Sequence, residues 1–138
     1  MSVTFHILKD HGLVYVRYDG VVNAADTMQA FAAYAQHPDC RPGQKQLVDL
    51  SRATEVEFDF VDLMQMQAKK ADVFMAEGAQ TLITYVAPTR LGRDVVASIL
   101  KSWESFSTIV PICVETLSDA CDVLGLPEPD LTNALKAA

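Results

Sequence analysis

Gln46-Leu47-Val48-Asp49-Leu50-Ser51 is the stretch on which the fold turns. Leu47, Val48 and Leu50 put apolar side chains on both faces of an extended segment. That is how a central strand covered by helices reads. Ser51 marks its end at a polar crossover. A strand buried on both faces needs neighbours, so the elements on either side of it decide the architecture.

On the N-terminal side, residues 3–8 alternate Val3, Phe5 and Ile7 against Thr4, His6 and Leu8. Period-two alternation is the signature of a half-buried strand. Asp10-His11-Gly12 is a turn. Residues 13–19 alternate again, Val14, Val16 and Tyr18 against Tyr15, Arg17 and Asp19, so the two strands form an antiparallel hairpin. Asn23 with Asp26 opens a helix by capping free N–H groups. Met28, Phe31, Ala32 and Ala35 fall on its apolar face. His37-Pro38 stops it, because the residue before proline avoids helical angles.

On the C-terminal side, Val56, Phe58 and Phe60 alternate with Glu55, Glu57 and Asp59, so residues 52–58 read as an extended segment, a lid or a dimer edge. Asp59 and Asp62 then open a helix running to about Glu77 and closed by Gly78. Its apolar face is Phe60, Leu63, Met64, Ala71, Phe74 and Met75. Residues 81–87 form a second buried strand. Pro88-Thr89 starts the longest helix, to about Ser105, with Leu91, Val95, Val96, Ile99, Leu100, Trp103 and Phe106 as its stripe. Gly92 inside it reads as a packing contact. Residues 109–114 form a third apolar strand, where Pro111 belongs at the start or on an edge. Thr116 and Asp119 cap a last helix through Leu124, closed by Gly125.

The order is β-β-α-β-α-β-α-β-α. Strands alternating with helices after a hairpin predict an α/β fold, a mixed and mainly parallel sheet packed with about four helices and right-handed crossovers. Residues 1–125 form one domain; residues 126–138, with two prolines, form a tail of weak helical pattern. There is no internal repeat.

The composition closes off several function classes. A net charge of −7 argues against binding nucleic acid or an anionic membrane, both of which attract basic patches. No run approaches the roughly 20 apolar residues of a membrane span. No basic region leads an apolar one at the N-terminus, so the expected location is the cytoplasm of a bacterium-like cell. Cys40, Cys113 and Cys121 match no zinc spacing. With Cys113 in an apolar run and Cys121 in a helical pattern, the cysteines read as buried or incidental thiols, and Cys113, in a buried strand, as inert. His37, Asp39 and Cys40 have no second ligand pair, so no metal and no cofactor is expected. No Gly-x-Ser-x-Gly elbow or glycine-rich phosphate loop is present, and no catalytic residue is assigned.

The element order, the strand Leu47-Val48-Asp49-Leu50-Ser51 and the segment Leu117-Ser118-Asp119-Ala120 resemble the STAS domain of bacterial anti-sigma-factor antagonists of the SpoIIAA type. More narrowly, Tyr18-Asp19-Gly20 after the second strand and Val48-Asp49-Leu50 later resemble the SpoIIAA-like group of small bacterial proteins. The resemblance spans residues 3–125. It implies a STAS-type fold and regulation through protein contacts. Antagonists of that type open the helix after this strand with Asp-Ser-Ser-Gly, whose serine is phosphorylated. Here the helix opens Phe58-Asp59-Phe60-Val61, so the phospho-switch does not carry over. Ser51, upstream at the strand end, is the nearest hydroxyl.

Two sets of residues are candidate sites. Ligands of open α/β sheets gather at the carboxyl ends of parallel strands, beside helix N-termini. If the strands ending at Ser51 and Ala87 are neighbours, Ser51, Arg52, Thr89, Arg90 and Arg93 converge as an anion site. The plainer reading has Thr89 capping its helix and the arginines pairing with Glu55, Glu57 or Asp94 in solvent. Asp49 is the acidic residue to inspect first, with backbone hydrogen bonding as its plain role. Separately, Val56, Phe58, Phe60, Met64 and Phe74 form an apolar pocket or a dimer surface, because methionine-rich faces adapt to varied partners. Core packing is their plain role.

The leading expectation is therefore a non-catalytic interaction domain, a homodimer with an unknown protein partner. A small apolar-ligand or lipid-binding module is the alternative, since the STAS fold resembles CRAL-TRIO-type apolar-ligand folds. An enzyme acting on an anionic substrate at Ser51, Arg52, Thr89 and Arg90 is a third.

Overall fold

The computed structural model describes residues 2–137. Five strands, β1 (Val3–Leu8), β2 (Leu13–Asn23), β3 (Lys45–Glu57), β4 (Thr81–Val86) and β5 (Ile109–Val114), form one sheet in sequential order. The hairpin β1–β2 is antiparallel, with Phe5 opposite Val16. Each later pair is parallel, as in Val16 beside Val48 and Leu47 beside Thr84. Lys9–His11 turns the hairpin, and Gly12 closes it at φ 58°, a left-handed angle that glycine adopts without strain.

Three crossovers join parallel neighbours: α1 (Ala24–Ala35), α2 (Phe60–Phe74) and α3 (Arg90–Trp103). Crossovers share one hand. With strands laid down in one direction, a common hand places all three helices on the same face. The larger core lies there, built from Val14, Tyr18, Leu50 and Tyr85 under Tyr34, Met66, Phe74 and Trp103. The other face carries α4 (Leu117–Leu124) and α5 (Glu128–Ala137). Leu13, Tyr15, Leu47 and Val86 meet Ala120, Leu124 and Leu131 there. Leu47 and Leu50 thus point into different cores, as their strand's two-sided apolar character requires. The C-terminal tail folds back as α5.

Each crossover helix starts on a side-chain cap. Asn23 accepts from the Asp26 N–H, Asp59 forms a reciprocal capping box with Asp62, and Thr89 accepts from the Gly92 N–H. A Cβ on Gly92 would stand 3.3 Å from the Ala87 side chain, so α3 sits closely on the end of β4.

Several expectations are corrected. The central strand does not stop at Ser51; β3 runs on to Glu57. Two register shifts, opposite Arg17–Asp19 and Gly20–Val21, each put one extra residue into β3, and residues 19–23 keep pairing with residues 52–57, past the end of β4. The buried face of α1 is Thr27, Ala30 and Tyr34, while Ala32 is exposed. Thr27 and Tyr34 are held inside by hydrogen bonds, which an apolar pattern does not record. On α2, Phe60 and Met75 are exposed, and the buried stripe includes Met66 and Gln67. That helix ends at Phe74, with Glu77 turning back through φ 60°. Cys113 is exposed, because β5 is an edge strand paired only with β4. Pro111 sits on that edge strand, where its missing N–H costs least.

Candidate functional site

The bulky side chains of the larger core do not fill it. A cavity of about 90 Å³ lies between the sheet and the crossover helices, where Phe31, Phe58, Leu63, Phe74, Ile99 and Trp103 line it with Val16, Tyr18 and Tyr85. The aromatic wall is continuous. Phe31 meets Phe74 edge-on at 5.4 Å, Phe74 lies 6.3 Å from Trp103, and Trp103 meets Phe106 at 5.5 Å.

Polar atoms reach this apolar space at defined points, and most are satisfied by the protein itself. The Tyr18 hydroxyl shares a 3.0 Å hydrogen bond with Thr27 Oγ1. Tyr34 donates to Gln44 Oε1 at 2.7 Å, and Trp103 Nε1 donates to the Tyr85 hydroxyl at 3.0 Å. Burial pushes the Tyr18 phenol upward, partly offset by the Thr27 contact, and burial likewise raises Tyr85. Both stay neutral at ordinary pH and offer hydroxyl groups, not charges.

Two residues of α2 are different. Gln67 is 1 % exposed. Its Nε2 donates to Ser102 Oγ at 3.2 Å, and Ser102 gives its own proton to the Ile99 carbonyl at 2.5 Å. Ser102 must therefore accept, which fixes the amide orientation and leaves Gln67 Oε1 a buried acceptor with no donor. Lys70 follows one turn later and also lines the cavity. It is half-buried as a residue, yet its ammonium is dehydrated enough that desolvation lowers its pKa to about 8. No carboxylate pairs with it among the described residues. A buried charge without a counter-charge is costly.

That cost has a pH signature. The folded-state pKa of Lys70 lies below its ordinary value of 10.5, so the unfolded chain binds more protons across that interval. Stability contributed by this group should therefore rise with pH from about 8 toward 10.5, the penalty being complete below about 8. Lys70→Met should be more stable than the parent at pH 7, with the advantage shrinking at pH 9.5 in urea melts. An advantage independent of pH would show that the ammonium is fully hydrated in the folded chain.

The anion-site candidates take other positions. Asp49 stands opposite Val86 in the β3–β4 register, so the two strand ends do lie side by side. Ser51, Arg52, Thr89, Arg90 and Arg93 are all exposed there. Thr89 Oγ1 caps α3. Arg93 donates to the Pro88 carbonyl at 3.0 Å, and Arg52 lies 3.8 Å from Asp19, not beside Glu55 or Glu57. Asp49 accepts from the Ser51 N–H, its expected backbone role, and also from the Tyr15 hydroxyl at 2.6 Å. Among the described residues no His, Cys, Asp and Glu cluster could hold a metal ion.

Of the apolar set, Phe58 and Phe74 line the cavity. Val56 and Met64 are half-buried outside it, and Phe60 is 43 % exposed beside Val61 at 64 %. Gln67, Lys70 and Thr27 escape a reading by apolar pattern. A signal was present: Leu63, Gln67, Lys70 and Phe74 follow helical spacing, so two polar residues sit on an apolar stripe.

The sequential mixed sheet, with three crossover helices on one face and two C-terminal helices on the other, defines a STAS-type α/β fold. Among solved structures, the chain is similar to the anti-sigma factor antagonist SpoIIAA in its unphosphorylated form, with a TM-score of 0.54 over 89 % of this chain and 97 % of that one. Sequence identity is 12 %, so the likeness is one of fold. No protein-family model and no curated protein matches the chain. Among the described residues, no helix is long and apolar enough to cross a membrane.

Proposed function

We propose that this chain is a non-catalytic regulatory domain whose interior binds a small apolar ligand between the sheet and α1–α3. The aromatic-lined cavity carries this reading. Protein interiors are close-packed, and an unfilled apolar space bordered by a few polar groups is the usual form of a small-molecule site. Its volume of about 90 Å³ is below the roughly 150 Å³ of an engineered cavity that takes up benzene. That favours a compact ligand over a long-chain lipid. The ligand would act in the cytoplasm of a bacterial cell, by altering which surface the domain presents.

A second reading, regulation through a protein partner or a homodimer, is favoured by the exposed neighbours Phe60 and Val61 at the start of α2. Native mass spectrometry of the purified chain at several concentrations tests both. Extra mass of a small molecule on the chain is the expected result. A chain that stays bare, and takes up no small apolar probe, would remove the ligand reading; a bare dimer would favour the second.

A further inference from the structure

Lys70 is the one charged side chain among the described residues that line the cavity. It stands on the inward stripe of α2, one turn after Met66 and Gln67 and one turn before Phe74, all three buried. A lysine stem can cover apolar surface while its ammonium reaches water. Here the ammonium itself has lost water, and no neighbouring charge acts on it. No carboxylate pairs with it among the described residues. The acids of the nearby helices are placed elsewhere. Asp26 accepts from Ser2 and Asn23, Asp59 and Asp62 close the capping box of α2, and Asp72 and Asp94 are exposed. A cation in that position costs energy in the empty protein, and an anion bound beside it would offset the cost.

The size of the space limits the rest of the ligand. A cavity of roughly 150 Å³ takes up benzene. On that scale a cavity of about 90 Å³ holds about three or four carbons. Phe31, Phe74 and Trp103 line it, so those carbons are apolar. Resting on the ligand-binding reading above, we propose that the ligand is a short-chain monocarboxylic acid. Its carboxylate accepts from the Lys70 ammonium, and its tail of about four carbons lies against Phe31, Phe74 and Trp103. A neutral alcohol leaves Lys70 unpaired, and a long fatty acid leaves most of its tail outside. Lys70 is only half-buried, so the carboxylate keeps part of its own hydration.

The single tryptophan of the chain, Trp103, lines the cavity, so its fluorescence reports occupancy, with calorimetry as a second readout. Titrations would use 3-methylbutanoate, 3-methylbutan-1-ol and octanoate, on the parent chain, Lys70→Met and Lys70→Gln. The short acid should bind the parent at least about tenfold more tightly than the alcohol, the usual worth of a charged hydrogen bond. Both variants should lose that preference while still binding the alcohol. Octanoate should bind the parent no more tightly than the short acid, because its extra methylenes find no space to be buried in. Circular dichroism melts establish that the variants are folded.

If the alcohol binds the parent as tightly as the short acid, or both variants keep the preference, the head-group assignment is wrong while the cavity remains a ligand site. Tighter binding of octanoate would overturn the short-chain assignment alone. If no probe gives a signal by either readout and native mass spectrometry finds the chain bare, the assignment and the ligand-binding reading fall together.

Discussion

Trp103→Ala should lower stability by about 3–5 kcal/mol, the cost of deleting a buried aromatic side chain. The side chain is 2 % exposed and stands between Phe74 and Phe106. Its removal merges the cavity with a new void, so the surrounding rings lose contacts on two sides. It also takes the Nε1 donor from the Tyr85 hydroxyl. Thermal melts followed by circular dichroism should show a midpoint lowered by about 10 °C or more. Trp103→Phe separates the two contributions: it keeps an aromatic ring and loses the hydrogen bond, which is worth about 1 kcal/mol. A Trp103→Ala variant as stable as Trp103→Phe would show that the helix face collapses to refill the space, and that the cavity is not rigid.

Leu131→Ala should cost about 2–5 kcal/mol. Leu131 is completely buried, in the smaller core with Leu8, Leu13, Leu47 and Cys121. That core is the only cover over this part of the sheet's second face among the described residues. α5 packs against β1 and α4, so losing it would uncover the β1 side of this face, where Leu8 sits. The control is Leu135→Ala, half-buried one turn later, which should lose much less. Urea melts of the two variants decide the matter. Equal, small losses would mean that α5 is a frayed appendage and that Leu131 does not hold it. Backbone hydrogen exchange adds a local check: in Leu131→Ala the amides of α5 should lose protection before those of β3.

The two variants probe different faces of one sheet, and the functional reading depends on only one of them. The cavity, Lys70 and Gln67 lie with Trp103 on the α1–α3 side, whereas α5 clamps the opposite side. Leu131→Ala should therefore weaken the fold while leaving the cavity of the folded fraction unchanged.

Much of this architecture follows from local chemistry. Alternation in β1 and β2 set the inward residues Val3, Phe5, Val14 and Tyr18, and the structure keeps that phase. Side-chain caps at Asn23, Asp59, Thr89 and Thr116 fixed four helix starts, because an N-cap needs only a chain neighbour two or three residues away. The strand at Leu47 and Leu50 announced cover on both faces, and the strand–helix alternation announced parallel pairing. These features are decided within a few residues of chain.

The tertiary structure alone decided which polar side chains go inside. Thr27 is buried because Tyr18 waits on β2, Tyr34 because Gln44 lies beyond its helix, and Gln67 because Ser102 on α3 accepts its amide. Each partner is 9 to 35 residues away in sequence, so no periodicity records the pairing. The bulges of β3, which lie beside and beyond Ser51, and the exposure of Cys113 on an edge strand also come only from the assembled sheet. The cavity belongs to the same class of feature. It exists because three helices packed on one twisted face leave space between their side chains, and such a void has no residues of its own to be read from a sequence.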